Sequence, residues 1–244
     1  MTGMTFENLT IGYRLRSGKT KIVARGLSAT LESGQLTCLL GRNGTGKSTL
    51  LRTLAGLQEP LQPQGNSSLF SWRKNSNQIA VVLTDPLDIH HIMVEEVVGL
   101  GRTPYTNFWG TLRENDKAIV AESLQLVGIM PLAQHDVGSL SDGERQKVMI
   151  AKALAQQTSI IILDEPTAFL DYPSKHEIMA LLQLLAYEHG KTILLSTHDV
   201  EIAEQYADQI WFMDGSRLLT GTEGAARVKQ YRADAVATMK GKRG

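Results

Sequence analysis

The segment Gly41-Arg-Asn-Gly-Thr-Gly46-Lys47-Ser48 decides how the rest of the chain is interpreted. It follows the apolar run Leu36 to Leu40 and opens a stretch with helical periodicity, Lys47 to Ala55. Glycines allow a loop to wrap around an anion with its amide groups pointing inward, and the positive dipole end of the following helix acts on the same anion. The segment therefore predicts a phosphate-binding loop between a buried strand and a helix.

Each position of this loop has an expected task. Lys47 is expected to reach the β and γ phosphates of a nucleoside triphosphate, Ser48 to hold Mg²⁺ through its hydroxyl, and Thr49 to bind the α phosphate. A glycine-rich turn with a chance lysine is the alternative, and the strand and helix on either side disfavour it. The loop alone indicates a triphosphate binder; its other predicted contacts are Gly41, Arg42, Asn43, Gly44, Thr45 and Gly46.

Two carboxylates follow a second apolar run, Ile160 to Leu163, which is short and β-branched enough for a central strand. Ligands bind at the carboxyl ends of the strands in parallel sheets, and successive side chains of an extended segment point to opposite faces. Asp164 is therefore predicted to bind magnesium, directly or through water, and Glu165 to act as the base that orients the attacking water. The alternative is that the two acids only cap a helix.

Short apolar runs alternate with helical patterns along the chain. Further strands are predicted at Phe6 to Tyr13, Ile22 to Leu31, Ile79 to Leu83 and Thr192 to Ser196. The pattern is polar and mixed from Asp85 to Gly110 and helical from Asn115 to Val127, which indicates an inserted helical subdomain. The basic end, with Lys240, Lys242 and Arg243, is predicted to be frayed. Strands alternating with helices predict an α/β fold with a parallel sheet and right-handed crossovers.

The 25 Lys and Arg residues of this 244-residue chain balance its 25 Asp and Glu residues. No global field then attracts nucleic acid or acidic lipid, so no nucleic-acid partner is expected. The one cysteine, Cys38, lies in an apolar run, which favours a buried reduced thiol and a cytoplasmic location. No apolar run approaches the roughly 18 to 20 residues of a spanning helix, and residues 1–7 lack a signal-peptide pattern. Work at a membrane is therefore expected to need a separate membrane partner.

The segment Leu140-Ser-Asp-Gly-Glu-Arg-Gln146 resembles the signature motif of ABC ATPases, and its order relative to Lys47, Asp164 and His198 is the order in that family. The resemblance covers roughly Phe6 to Thr222. It implies a P-loop NTPase (RecA-like) parallel sheet core with an N-terminal antiparallel β subdomain and an inserted α-helical subdomain. Within a single ABC ATPase domain, residues 1–84 and 156–222 would form the nucleotide-binding core, 85–155 the helical signature subdomain and 223–244 a C-terminal helical tail.

The resemblance also implies a site shared between two copies. A head-to-tail homodimer would hold two ATP molecules, each between the phosphate loop of one copy and the signature of the other, with Ser141, Gly143 and Glu144 at the γ phosphate. Asp171 resembles the dimer-contact residue, and His198 resembles a switch histidine that acts with the catalytic residues Lys47 and Glu165. Tyr13 matches the aromatic residue that stacks on adenine. Ser141 followed by Glu144 is also a capping box, and both interpretations can hold together.

Two positions depart from the family pattern. The signature has Asp142-Gly-Glu144 where two glycines and a glutamine are usual, so carboxylates flank the expected phosphate site and are predicted to weaken the dimer. Thr84 stands where the family has a glutamine that contacts magnesium and the membrane partner. Its hydroxyl suffices as a magnesium ligand, but it is shorter, so an altered linkage to the partner is expected.

The type of ABC protein is predicted from one more segment. Gly101-Arg-Thr-Pro-Tyr105, with Phe108 and Trp109 beyond it, resembles importers of iron-siderophore, haem and cobalamin type. The aromatic residues either anchor a membrane subunit or pack the subdomain's own core. The chain is thus predicted to energise an ABC importer from the cytoplasmic face of the cell (inner) membrane, with ATP, Mg²⁺, polytopic permease subunits and, indirectly, a substrate-binding protein. A soluble ABC ATPase of a non-transport assembly, such as iron-sulfur cluster biogenesis, is the alternative.

Overall fold

The computed structural model describes residues 3–15, 18–61, 79–83 and 91–241, with side chains to residue 234. A six-stranded sheet forms its centre. In chain order the strands are β3 (Leu36–Gly41), β4 (Ile79–Val82), β5 (Ile160–Leu163), β6 (Thr192–Ser196), β7 (Gln209–Asp214) and β8 (Arg217–Leu219). Their spatial order is β4-β5-β6-β3-β7-β8, and every pair is parallel except β7 with β8. The predicted parallel sheet is confirmed.

A two-stranded antiparallel sheet precedes the central one, as predicted. Strands β1 (Met4–Arg14) and β2 (Thr20–Leu31) pair from Met4 with Leu31 to Arg14 with Thr20. Their apolar side chains share a core with helix α1 (Lys47–Leu54) and with one face of the central sheet. In that core Phe6 and Trp211 meet edge to face, with their ring centroids 6.0 Å apart. This packing places the strand that carries Tyr13 beside the phosphate loop.

Helices form the part of the chain before β5. They are α2 (Val94–Gly99), α3 (Glu114–Leu126) and α4 (Asp142–Ala155), with a 3₁₀ turn at Leu100–Tyr105. Buried residues of all three helices belong to one apolar core that continues into the other face of the central sheet. The predicted helical insertion is therefore observed, whereas the exact domain boundaries stay a prediction.

After β5 the described residues form three further α-helices: α5 (Tyr172–Tyr187), α6 (Val200–Tyr206) and α7 (Gly221–Gly241). Helix α7 includes Lys240, while Lys242 and Arg243 lie outside the described residues, so the frayed end stays a prediction. Helix α7 returns to pack on β7 and β8, and this packing explains why a weakly periodic sequence is helical there. No helix among the described residues is long and apolar enough to cross a bilayer.

Candidate nucleotide site

The phosphate loop joins the end of β3 to the start of α1. Gly46 has φ 105°, and a Cβ atom placed on it would lie 2.4 Å from Cγ1 of Val23. Both the backbone conformation and the available space therefore require glycine at this position. The strand, loop and helix predicted around the motif are present, with the first turn of α1 facing the loop.

Lys47 is buried at the start of α1. Its Nζ donates a hydrogen bond to the carbonyl oxygen of Gly41 at 2.9 Å and lies 3.7 Å from Oε1 of Glu165. Burial lowers the pKa of the ammonium, and the charges of Glu165 and Asp164 partly oppose this shift. The Lys47 ammonium is thus poorly solvated, and a bound phosphate group can compensate for the hydration that it has lost.

The hydroxyls of two serines organise the carboxylates at the end of β5. Ser48 Oγ donates to Oδ1 of Asp164 at 3.0 Å, and Ser196 Oγ donates to the same oxygen at 2.7 Å. The amide of Glu165 in turn donates to Ser196 Oγ at 2.9 Å. Hydroxyl and carboxylate oxygens are the ligands that Mg²⁺ prefers, so Ser48 and Asp164 fit that ion.

Glu165 faces both a cation and a histidine. While Oε1 lies near Lys47, Oε2 lies 3.3 Å from Nδ1 of His198. Glu165 has φ 47°, an uncommon conformation for a non-glycine residue, and such strain is often found at functional sites. The side-chain partners of Glu165, Lys47 and His198, differ from those of Asp164, Ser48 and Ser196, which permits different tasks for the two acids.

A cleft of about 840 Å³ lies over the loop, a size suited to a nucleotide. Tyr13 is 42% exposed, and its hydroxyl forms a hydrogen bond with Oγ1 of Thr49. A base can therefore reach the Tyr13 ring. The lining residues are Tyr13, Lys21, Ile22, Val23, Arg42, Asn43, Gly44, Thr45, Gly46, Lys47, Ser48, Thr49, Glu165 and Gly215.

The signature segment caps helix α4 away from this cleft. Ser141 is the N-cap and donates from its amide at 2.8 Å and its hydroxyl at 2.7 Å to Oε2 of Glu144, and these hydrogen bonds hold the pKa of Glu144 below its usual range. A Cβ on Gly143 would lie 3.3 Å from Oγ of Ser174 in the first turn of α5. Asp171 caps α5 through the amide of Ser174, at 3.0 Å. The predicted capping box is present, and Ser141, Gly143, Glu144 and Asp171 do not line the cleft of their own chain.

Five residues of the site were not predicted from the sequence: Lys21, Ile22, Val23, Ser196 and Gly215. Ser196 ends β6, which is parallel to its neighbour β5. The predicted strands therefore already indicated that Ser196 and Asp164 lie at the same end of the sheet. Gly215 reaches the cleft only because the β7–β8 turn folds toward it. Thr84, the other predicted magnesium ligand, lies outside the described residues.

The glycine loop, the buried lysine and the paired carboxylates define a nucleoside triphosphatase of the P-loop class. A family model described as ABC transporter matches residues 24–168, more than half of the chain, and the chain therefore belongs to the ABC transporter family. It is an ATP-binding and ATP-hydrolysing member of that family.

Relatives cover most of the chain. The achromobactin transport ATP-binding protein CbrD of Dickeya dadantii is 37% identical over 215 residues, 86% of this chain and 78% of its own. The ferric enterobactin transport ATP-binding protein FepC of Escherichia coli is 35% identical over 209 residues, 84% of this chain and 75% of its own. The structure of an inward-facing ABC transporter assigned to the metal-chelate type matches with a TM-score of 0.77 and 28% identity, over 89% of this chain and 82% of its own.

Proposed function

We propose that this chain is the ATP-hydrolysing subunit of an importer for iron-siderophore, haem or cobalamin-like cargo, and that it acts at the cytoplasmic face of the cell membrane. The observation that carries the catalytic part is Glu165 placed between Lys47 and His198, at 3.7 Å and 3.3 Å. The transport part is supported by relatives named for achromobactin and enterobactin transport.

Hydrolysis depends on the groups at the ends of β3, β5 and β6. Lys47 binds the β and γ phosphates, Tyr13 stacks on the adenine, and Glu165 orients the attacking water and accepts its proton. His198 positions Glu165 through Oε2, and Ser196 positions the backbone of Glu165. Mg²⁺ held by Ser48 and Asp164, with Thr84 as a further ligand, would supply positive charge to the phosphates when bound.

A second copy of the chain completes the site. The start of α4 presents the amides of a capped helix N-terminus, which suit an anion, yet it lies outside the cleft of its own chain. A head-to-tail dimer brings Ser141, Gly143 and Glu144 to the γ phosphate in the partner's cleft, with Asp171 at the contact between copies. Each ATP molecule then binds both copies, so ATP drives dimer formation and hydrolysis reverses it.

The carboxylate of Asp142 in the signature segment is expected to weaken the ATP-dependent dimer. Asp142 forms an ion pair with Arg145 at 3.1 Å, which offsets its charge in part, but its carboxylate still stands beside the expected γ phosphate. Asp142→Gly is therefore expected to tighten the ATP-dependent dimer by about twofold to fivefold. Sedimentation of both proteins in the Glu165→Gln background measures this, and equal dimer affinities would contradict it.

An aromatic pair is the proposed anchor for the permease. Phe108 and Trp109 are 96% and 85% exposed and meet edge to face with ring centroids 5.6 Å apart. The Asn107 side chain holds the turn by accepting hydrogen bonds from the amides of Trp109 and Thr111, both at 3.1 Å. These two aromatic residues do not pack the subdomain's core, and a preformed exposed pair suits insertion into an apolar pocket of a partner.

Removal of the pair tests this docking. The double change Phe108→Ala and Trp109→Ala is expected to reduce recovery of a polytopic permease in detergent pull-downs by about tenfold or more, since two exposed aromatic anchors are lost. Tyr187→Ala is the control, because Tyr187 is 88% exposed at the end of α5. Unchanged recovery would contradict the anchor role, and recovery of a soluble assembly in place of a permease would contradict the importer.

A further inference from the structure

Helix α7 contacts Arg42, in the phosphate loop, and Asp214, the residue before Gly215. Arg42 and Gly215 both line the cleft. The Arg42 guanidinium lies 5.8 Å from the ring centroid of Tyr231 on α7, within the range of a cation–π contact. Beside Gly215, Asp214 accepts hydrogen bonds from Nε of Arg227 on α7 at 2.9 Å and from Nη2 at 3.4 Å. One helix therefore holds both the phosphate loop and the β7–β8 turn.

The two α7 side chains share a support on the sheet. The guanidinium of Arg227 lies 5.3 Å from the ring centroid of Phe212, and the Tyr231 ring packs against the same phenylalanine at 5.4 Å between centroids. Nη1 of Arg227 lies 3.8 Å from Oδ2 of Asp234, one turn beyond Tyr231. Because Phe212 is fully buried in β7, this arrangement ties α7 to the sheet at the level of the cleft.

The charges of this cluster matter for an anionic ligand. Hydrogen bonding from Arg227 lowers the pKa of Asp214, and the positive charges of Arg227, Arg42 and Arg217 lower it further. Asp214 is thus a carboxylate beside a cleft that takes a triphosphate. Without Arg227, the charge of Asp214 would repel the nucleotide and attract the Arg42 side chain away from the phosphates.

We propose that helix α7 sets the nucleotide affinity of the cleft, with Arg227 and Tyr231 as positioning residues. Arg227 neutralises and orients Asp214, while Tyr231 supports Arg42. This role needs neither the membrane partner nor the second copy, so its test is separate from that of the proposed transport function.

Titration calorimetry of ADP with Mg²⁺ at low salt tests the proposal on the full chain. Arg227→Ala is expected to raise the Kd by about threefold to fivefold, and added salt should reduce the difference because the effect is electrostatic. Asp214→Asn in the same protein is expected to restore the affinity, since it removes the uncompensated charge. Arg232→Ala is the matched control, because Arg232 lies on the same helix and pairs with Glu204 at 3.1 Å.

A purely structural role for Arg227 would lower thermal stability without this pattern of rescue. The proposal is overturned if Arg227→Ala binds ADP as tightly as the unchanged chain, or if Asp214→Asn fails to restore binding in the double variant. Asp214→Asn alone provides a second test that does not depend on folding of the Arg227 variant. It is expected to bind ADP at least as tightly as the unchanged chain, and weaker binding would overturn the proposal.

Discussion

Replacing Glu165 by glutamine is expected to lower ATP turnover by about a hundredfold or more while ATP remains bound. The amide keeps the size of the carboxylate and its place between Lys47 and His198, but it cannot accept a proton from water. Because hydrolysis is blocked after binding, the variant should also accumulate as an ATP-bound dimer. Phosphate release measures the turnover, and light scattering after gel filtration measures the dimer.

A matched change separates this effect from a loss of surface charge. Glu188→Gln removes an exposed carboxylate at the end of α5, remote from the loop, and should retain full turnover. If Glu165→Gln hydrolysed ATP within a few-fold of the unchanged chain, Glu165 would not be the base, and the water would have to be oriented by another group.

Replacing Lys47 by alanine is expected to lower turnover by about a hundredfold to a thousandfold, and in contrast to Glu165→Gln to weaken ATP binding as well. The ammonium is a buried cation 3.7 Å from Oε1 of Glu165, and it also interacts with the charge of Asp164. Its removal leaves two carboxylates facing the phosphates with less positive charge to offset them. Calorimetric titration measures the ATP affinity, and a turnover assay measures the rate of hydrolysis.

Lys191→Ala is the control for loss of a partly buried lysine. Burial also lowers the pKa of Lys191, and its Nζ donates to the carbonyl oxygen of Thr158 at 2.7 Å. Lys191 lies before the start of β6, at the opposite end of the strands from the phosphate loop. This variant should lose stability rather than ATP affinity. Tight ATP binding by Lys47→Ala would contradict the assignment of the phosphate loop.

Local pattern was sufficient where one short segment determines its own structure. The strands at 160–163 and 192–196 coincide with the predicted ones, because β-branched runs flanked by polar residues have few alternatives. The capping box at Ser141 and Glu144 was predicted for the same reason, since its partners are three residues apart.

Contacts between distant segments were beyond this kind of prediction. The bonds from Ser196 to Asp164 and from Arg227 to Asp214 depend on how strands and helices pack, and side-chain types alone do not reveal them. The exposure of Phe108 was likewise left open, because an aromatic residue is usually expected inside. In the structure, Phe108 is exposed because of the turn that Asn107 stabilises, in which Gly110 has φ 68°.

A crystal structure of the Glu165→Gln protein with ATP and Mg²⁺ tests the shared nucleotide site most directly. It should show the γ phosphate held by Lys47 of one copy, with Ser141 of the partner subunit at a hydrogen-bond distance of about 3 Å. ATP bound in a cleft that no second copy covers, or a dimer in which the start of α4 faces solvent, would contradict the account.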